Sequence, residues 1–116
     1  MSQLNHITQH DLSLIVRLGF DGIPLDEIAY KFEAPRADLA LMAWPLTDFK
    51  LSPKLLEKRL VAGRMRLGED SLERRCGRCG EHYPFTREFW HKYKLSVDGA
   101  WNICIGCELA RRQRKG

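Results

Sequence analysis

Two Cys-x-x-Cys pairs, Cys76-Gly-Arg-Cys79 and Cys104-Ile-Gly-Cys107, contain all four cysteines of the chain, and no other feature limits its fold as strongly. Two residues between paired cysteines let both thiolates reach one metal ion without backbone strain. Gly77 inside the first pair and Gly80 just after it permit a tight, left-handed turn whose amides point at the sulfurs. Zinc favours four soft or borderline ligands in a tetrahedron, so the spacing predicts one structural Zn2+ on Cys76, Cys79, Cys104 and Cys107. A redox dithiol needs only one such pair. Four protein ligands leave no open coordination position at which water is activated, and a non-catalytic role is the expectation. The segment from Cys76 to Gly116 is too small to fold on apolar burial alone. Structural zinc contributes about 10–16 kcal/mol of apparent binding free energy in finger peptides, so metal removal is expected to unfold it.

The surrounding sequence is consistent with free thiols. No apolar run approaches the roughly 20 residues that cross a bilayer, and Met1 to His10 lacks the cationic and apolar blocks of a signal peptide. A cytoplasmic location with no membrane partner is expected, and in a reducing compartment four cysteines favour metal over disulfides. The net charge of +4 is unevenly spread: residues 1–50 carry −3 and the remainder +7. The cysteine-bearing half is therefore the better candidate to meet phosphates.

Three regions follow along the chain. Residues 1–50 read as a helical domain. Thr8 caps a first helix with Asp11 in its first turn, and Leu12, Ile15, Val16 and Leu18 form a stripe ending at Gly19. Asp21-Gly22 is a turn, and Pro24 starts a second helix over Leu25 to Phe32. A third helix begins at Pro35 and ends before Pro45, which cannot continue it. Residues 51–74 read as a basic linker helix with Ser52 as cap, Pro53 in the first turn, and Leu56, Leu60, Gly63 and Leu67 at helical spacing. Gly68 reads as its stop. That stripe over 53–67 either pairs two copies of the chain or packs within one. Residues 75–116 hold the zinc module and a basic tail.

Within the module, Thr86 is read as the cap of a short helix carrying Phe89 and Trp90, and Asp98-Gly99 between apolar runs signals a hairpin. The second cysteine pair runs directly into Glu108-Leu-Ala-Arg-Arg, a helix-forming stretch. Knuckle, hairpin and helix in that order make a treble clef. The pattern Cys-x-x-Cys, Tyr83-Pro84-x-Thr86-x-Glu88-Phe89, Asp98-Gly99, Cys-x-x-Cys with a basic tail resembles small phage-type and bacterial zinc-finger proteins. Their cysteine frame is similar to that of the phage recombination endonucleases. Those nucleases carry a histidine with a nearby acid between the pairs and an asparagine after the second. Here His82 and His91 lie between the pairs, but Glu108 follows Cys107. His82 reads as a substitute ligand or His91 as a general base, against polar surface roles for both. Trp90 and Trp101 read either as stacking platforms for bases or as the core of the module.

The stretch from Pro24 to Ala43 resembles a bacterial helix-turn-helix. Ile28 and Ala29 fall where two helices pack, with Phe32, Leu39 and Met42 completing the inward set. Glu33 stands where glycine usually makes the turn. A recognition helix here presents Arg36, Ala37, Asp38 and Leu41 outward; alternatively these helices dock a protein through Leu41 or Trp44. The expected fold is mainly α, a helix-turn-helix bundle followed by a small four-cysteine treble clef or zinc ribbon that is itself α+β. The expected function is that of a DNA-binding transcriptional regulator of bacterial or phage type. Arg74, Arg75, Arg78, Arg111, Arg112, Arg114 and Lys115 are the candidate phosphate contacts and Arg36 the candidate base contact. The alternatives are a zinc-stabilised protein-interaction adaptor and a metal-dependent nuclease.

Overall fold

The computed structural model describes residues 6–45, 47–69 and 71–115, with the side chains of residues 114 and 115 outside that description. The first helix, α1 (Gln9–Phe20), opens with a reciprocal cap. Thr8 Oγ1 accepts from the Asp11 amide at 3.1 Å and Asp11 Oδ2 accepts from the Thr8 amide at 3.0 Å, which satisfies two of the helix's unpaired donors. Ile15 is its fully buried residue. Helices α2 (Leu25–Lys31) and α3 (Arg36–Ala43) each start from a proline, Pro24 and Pro35. Between α2 and α3 the chain turns through Glu33, held at φ 51. A non-glycine residue in this left-handed region costs about 1–2 kcal/mol, compensated by the burial of Ile28, Ala29, Ala37 and Leu39 where the helices meet.

Helix α4 (Pro53–Val61) is capped by Ser52, whose Oγ accepts from the Leu55 amide at 3.1 Å. It does not reach residue 67. Gly63, at φ +74, takes the left-handed position past the helix end, and the Arg64 amide closes back onto the Arg59 carbonyl at 2.8 Å. The chain then runs as strands, β1 (Met65–Leu67) and β2 (Leu72–Arg75). Alternation explains the change: Met65 is buried, Arg66 exposed and Leu67 half-buried. The leucine stripe is used inside the chain, with Leu56 fully buried and Leu60 and Leu67 packed on the core. Gly68, read from sequence as a helix stop, makes the β1–β2 turn; a Cβ there would lie 2.6 Å from the Ser71 carbonyl oxygen.

The third strand, β3 (His82–Pro84), completes an antiparallel sheet of order β1-β2-β3. Met65 faces Arg74, and Arg75 faces His82. Residues 87–89 form a turn, not a helix, and the buried Thr86 hydroxyl has no hydrogen-bond partner among the described residues. Lys92 and Ala100 pair as an antiparallel bridge around the loop that ends at Gly99, φ +81. Helix α5 (Ile105–Lys115) follows. The whole is an α+β arrangement of five helices and one small sheet among the described residues. One apolar cluster runs through both halves, from Ile15, Ile28 and Leu39 through Leu56 and Leu72 to Phe85 and Trp90. No helix among the described residues is long and apolar enough to cross a membrane.

A buried ionic knot joins the helices to the cysteine-bearing part. Asp98 is fully buried, and its Oδ1 accepts from Ser96 Oγ at 2.7 Å and from the Ala100 amide at 3.0 Å. Its Oδ2 lies 2.7 Å from Arg59 Nη2 of α4 and 3.7 Å from Arg74 Nη1 of β2, as ion pairs off the axis of a good hydrogen bond. Both guanidinium groups sit over the Phe85 ring, at 5.9 and 5.6 Å from its centroid, and Arg74 also covers Trp90 at 5.0 Å. The Asp98 carboxyl is held below its ordinary range: burial pushes it up, but the Ser96 hydroxyl, the Ala100 amide and Arg59 together pull harder.

Candidate metal centre

Strand β2 delivers Cys76 to one end of the sheet, and β3 leaves from the same end. The Cys76 amide donates to Glu81 O at 2.8 Å and the Gly80 amide to Cys76 O at 3.1 Å, with Gly80 at φ +77, so residues 76–81 close a tight knuckle. That turn points two amides at one sulfur: Arg78 N lies 3.3 Å and Cys79 N 3.4 Å from Cys76 Sγ. The second pair arrives at the start of α5, where Cys104 N adds a third donor to Cys76 Sγ at 3.3 Å. The Gly77 amide binds Asn102 O at 3.1 Å and ties the knuckle to the segment before that pair.

All four sulfurs lie within 4.8 Å of one another. Cys76 and Cys104 are buried, Cys107 is half-buried and Cys79 is exposed. Cys76 Sγ and Cys107 Sγ stand 3.8 Å apart, far beyond a disulfide bond of about 2.05 Å. A regular tetrahedron of metal–sulfur bonds near 2.3 Å has edges of about 3.8 Å. The cluster is thus consistent with a single metal site, and the donors are those of a tetrathiolate. Electrostatics among the four thiols are uneven. Burial pushes the Cys76 thiol up, but the amides of Cys79, Cys104 and Arg78 outweigh it and bring it down to about 6. Burial and the neighbouring sulfurs push Cys107 up to about 12, and burial is also the main force raising Cys104. Four thiolates at this spacing repel one another unless a cation sits among them.

The candidate phosphate contacts separate into groups. Arg75 and Arg78 are exposed at the knuckle and share a groove of about 410 Å³ with Arg64, which the sequence alone places on a linker helix. None of these three has a carboxylate partner among the described residues. Arg74 belongs elsewhere: its side chain is 13% exposed, and Nη1 donates to Trp101 O at 2.9 Å besides facing Asp98, so it is part of the interior. Burial, its largest influence, holds the Arg74 guanidinium below its ordinary range. Arg111 and Arg112 both reach the Glu108 carboxylate, at 2.8 and 3.4 Å. The side chains of Arg114 and Lys115 lie outside the described residues.

Arg36 is also committed. Its Nε and Nη2 grip the Glu57 carboxylate of α4 at 2.9 and 2.8 Å, and Nη1 binds Asp26 of α2 at 2.6 Å. It clamps three helices, which leaves few donors for a base. Trp44 is 2% exposed, with Nε1 donating to Gly68 O at 3.0 Å, so it is core and not an outward docking residue. Trp90 is likewise fully buried, whereas Trp101 is half-buried beside Tyr93. His82 pairs with Arg75 across the sheet and His91 is exposed. No protein-family model matches the chain, and comparison with curated proteins and with solved structures likewise gave no match.

Proposed function

We propose that the protein is a zinc-stabilised, non-catalytic, DNA-binding regulatory protein, with a treble-clef module that meets the phosphate backbone. The observation that carries the reading is the conjunction at the knuckle of a four-sulfur cage with Arg64, Arg75 and Arg78, all exposed. Soft thiolate donors in a tetrahedral set select zinc over magnesium, calcium or manganese, and a closed set gives the ion a structural role. Arginines around this groove offer guanidinium charge and paired N–H donors to an anion. A zinc tetrathiolate carries a net negative charge, so these arginines also offset the cage. Arg74 and Arg36 are assigned to structure, and Arg111 and Arg112 extend the basic surface along α5.

Anisotropy titration of the zinc-loaded protein with a mixed-sequence duplex at several salt concentrations tests the assignment. Each arginine that neutralises a phosphate contributes about −0.9 to the slope of log K against log salt. Replacing Arg64, Arg75 and Arg78 by Gln should flatten the slope by about 2–3 and leave zinc content unchanged. Absence of duplex binding at low salt would remove the reading. That result would favour an adaptor, for which residues 1–50 offer a net charge of −3 and exposed side chains such as Phe20 and Tyr30.

A further inference from the structure

A second cleft, of about 240 Å³, lies between the bridged loop and α5. On one side stand Lys92, Tyr93 and Trp101, and on the other Arg111 and Arg112. Tyr93 and Trp101 meet edge to face, with ring centroids 4.3 Å apart at 89°. Tyr93 is 37% exposed and Trp101 half-buried, in contrast to Trp44, Trp90 and Phe85, whose rings are spent on the core. Their backbone is fixed: Tyr93 N donates to Gly99 O at 2.8 Å and Trp101 N to His91 O at 2.9 Å. The rings are thus presented by a bridged loop, at little further ordering cost on binding.

The charge of the cleft is one-sided. Glu108 is its carboxylate, 6% exposed and shared by Arg111 and Arg112, so one arginine charge is left uncompensated. Lys92 has no carboxylate partner among the described residues. The volume falls below the ~300–1,000 Å³ of drug-sized pockets and suits one ring system. Aromatic faces combined with adjacent cations are what an unstacked base and its phosphate require. A base inside a duplex has both faces covered and cannot use such a platform.

We propose that the Tyr93–Trp101 cleft binds one unpaired nucleotide of a single-stranded nucleic acid, by stacking the base on the aromatic pair and holding its phosphate with Lys92 and Arg112. This rests on the nucleic-acid reading above and adds a second site to it. The test titrates labelled oligo-dT, oligo-U and a duplex of equal length with the full, zinc-loaded chain and with Tyr93→Leu, Trp101→Leu and Arg112→Gln. Zinc content and circular dichroism report folding of each variant. Tyr93→Leu should weaken single-strand binding about tenfold, in keeping with base stacking, with duplex binding unchanged within about twofold. Arg112→Gln should reduce the single-strand salt slope by about 0.7. If Trp101→Leu fails to fold, Tyr93→Leu and Arg112→Gln decide alone. Equal losses for single strand and duplex in Tyr93→Leu, or unchanged single-strand binding in Tyr93→Leu, overturn the cleft assignment. So does polyglutamate competing as well as oligo-dT. Duplex binding without single-strand binding sinks the cleft and leaves the knuckle reading intact; binding of neither sinks both.

Discussion

Replacing Asp98 by Asn removes one charge and keeps a side chain able to accept from Ser96 and the Ala100 amide. At an effective dielectric of about 20, attraction across 2.7 Å to Arg59 and 3.7 Å to Arg74 amounts to about 6 and about 4 kcal/mol. Desolvation of the three ions, several kcal/mol each, cancels most of that gain in the wild type. In the variant the cancellation fails. Arg59 and Arg74, with side chains 9% and 13% exposed, stay buried beside one another without the anion. Breaking a buried pair from one side costs about 3–5 kcal/mol, a large part of a typical stability of about 5–15 kcal/mol. Urea unfolding of zinc-loaded Asp98→Asn at neutral pH, followed by tryptophan fluorescence, should show this loss with an unchanged m-value. The double variant Asp98→Asn with Arg59→Met should recover part of it, because the orphaned cation is removed with its partner. A loss under about 1 kcal/mol, or strict additivity of the two changes, would refute the argument that this knot fastens the helices to the module.

Further expectations concern the cage, the sheet turn and the helical clamp. With Cys107 near 12 and Cys104 raised while Cys76 sits near 6, the metal-free cage holds protons on Cys104 and Cys107 at neutral pH. Zinc must expel them, so calorimetry in buffers of different ionisation enthalpy should show about two or more protons released per ion, and affinity should fall as pH falls; one proton or none would contradict the cage electrostatics. Strong chelation should unfold the segment from Cys76 onward, seen as loss of dispersed amide resonances there. Gly68→Ala pushes a methyl against the Ser71 carbonyl at 2.6 Å, and a loss of about 1–3 kcal/mol is expected in thermal unfolding. Arg36→Gln breaks pairs whose acids, Asp26 and Glu57, are 75% and 45% exposed, so about 1 kcal/mol or less should be lost, with duplex affinity unaltered in the salt titration.

The local signals of the helices were legible in the residues. Thr8 with Asp11, Pro24, Pro35 and Ser52 each act through neighbours in sequence, and each stands where its capping or starting chemistry puts it. The cysteine spacing likewise marked the four sulfurs: the first Cys-x-x-Cys turn builds its own amide cage over a few residues, while the fold brings the second pair to it. The departure at residues 62–67 has an equally local origin. Leu56, Leu60, Gly63 and Leu67 satisfy a helical period, but Gly63 at positive φ stops the helix, and β2 supplies the ladder that makes Met65–Leu67 a strand. Thr86 has the form of a cap and no helix to cap.

Residue order alone marked the caps at Thr8 and Ser52, the residues that form each Cys-x-x-Cys pair and which half is basic, since these follow from backbone chemistry and residue counts within a short span. What each arginine does was settled by the folded arrangement instead. Arg36, Arg59, Arg74 and Arg78 are chemically identical, yet one clamps three helices, two surround a buried aspartate and one remains exposed. A long cationic side chain takes its role from the carboxylates and rings that distant segments bring within a few ångströms. Asp98 and Arg59 come from segments far apart in the chain, and no local pattern could pair them.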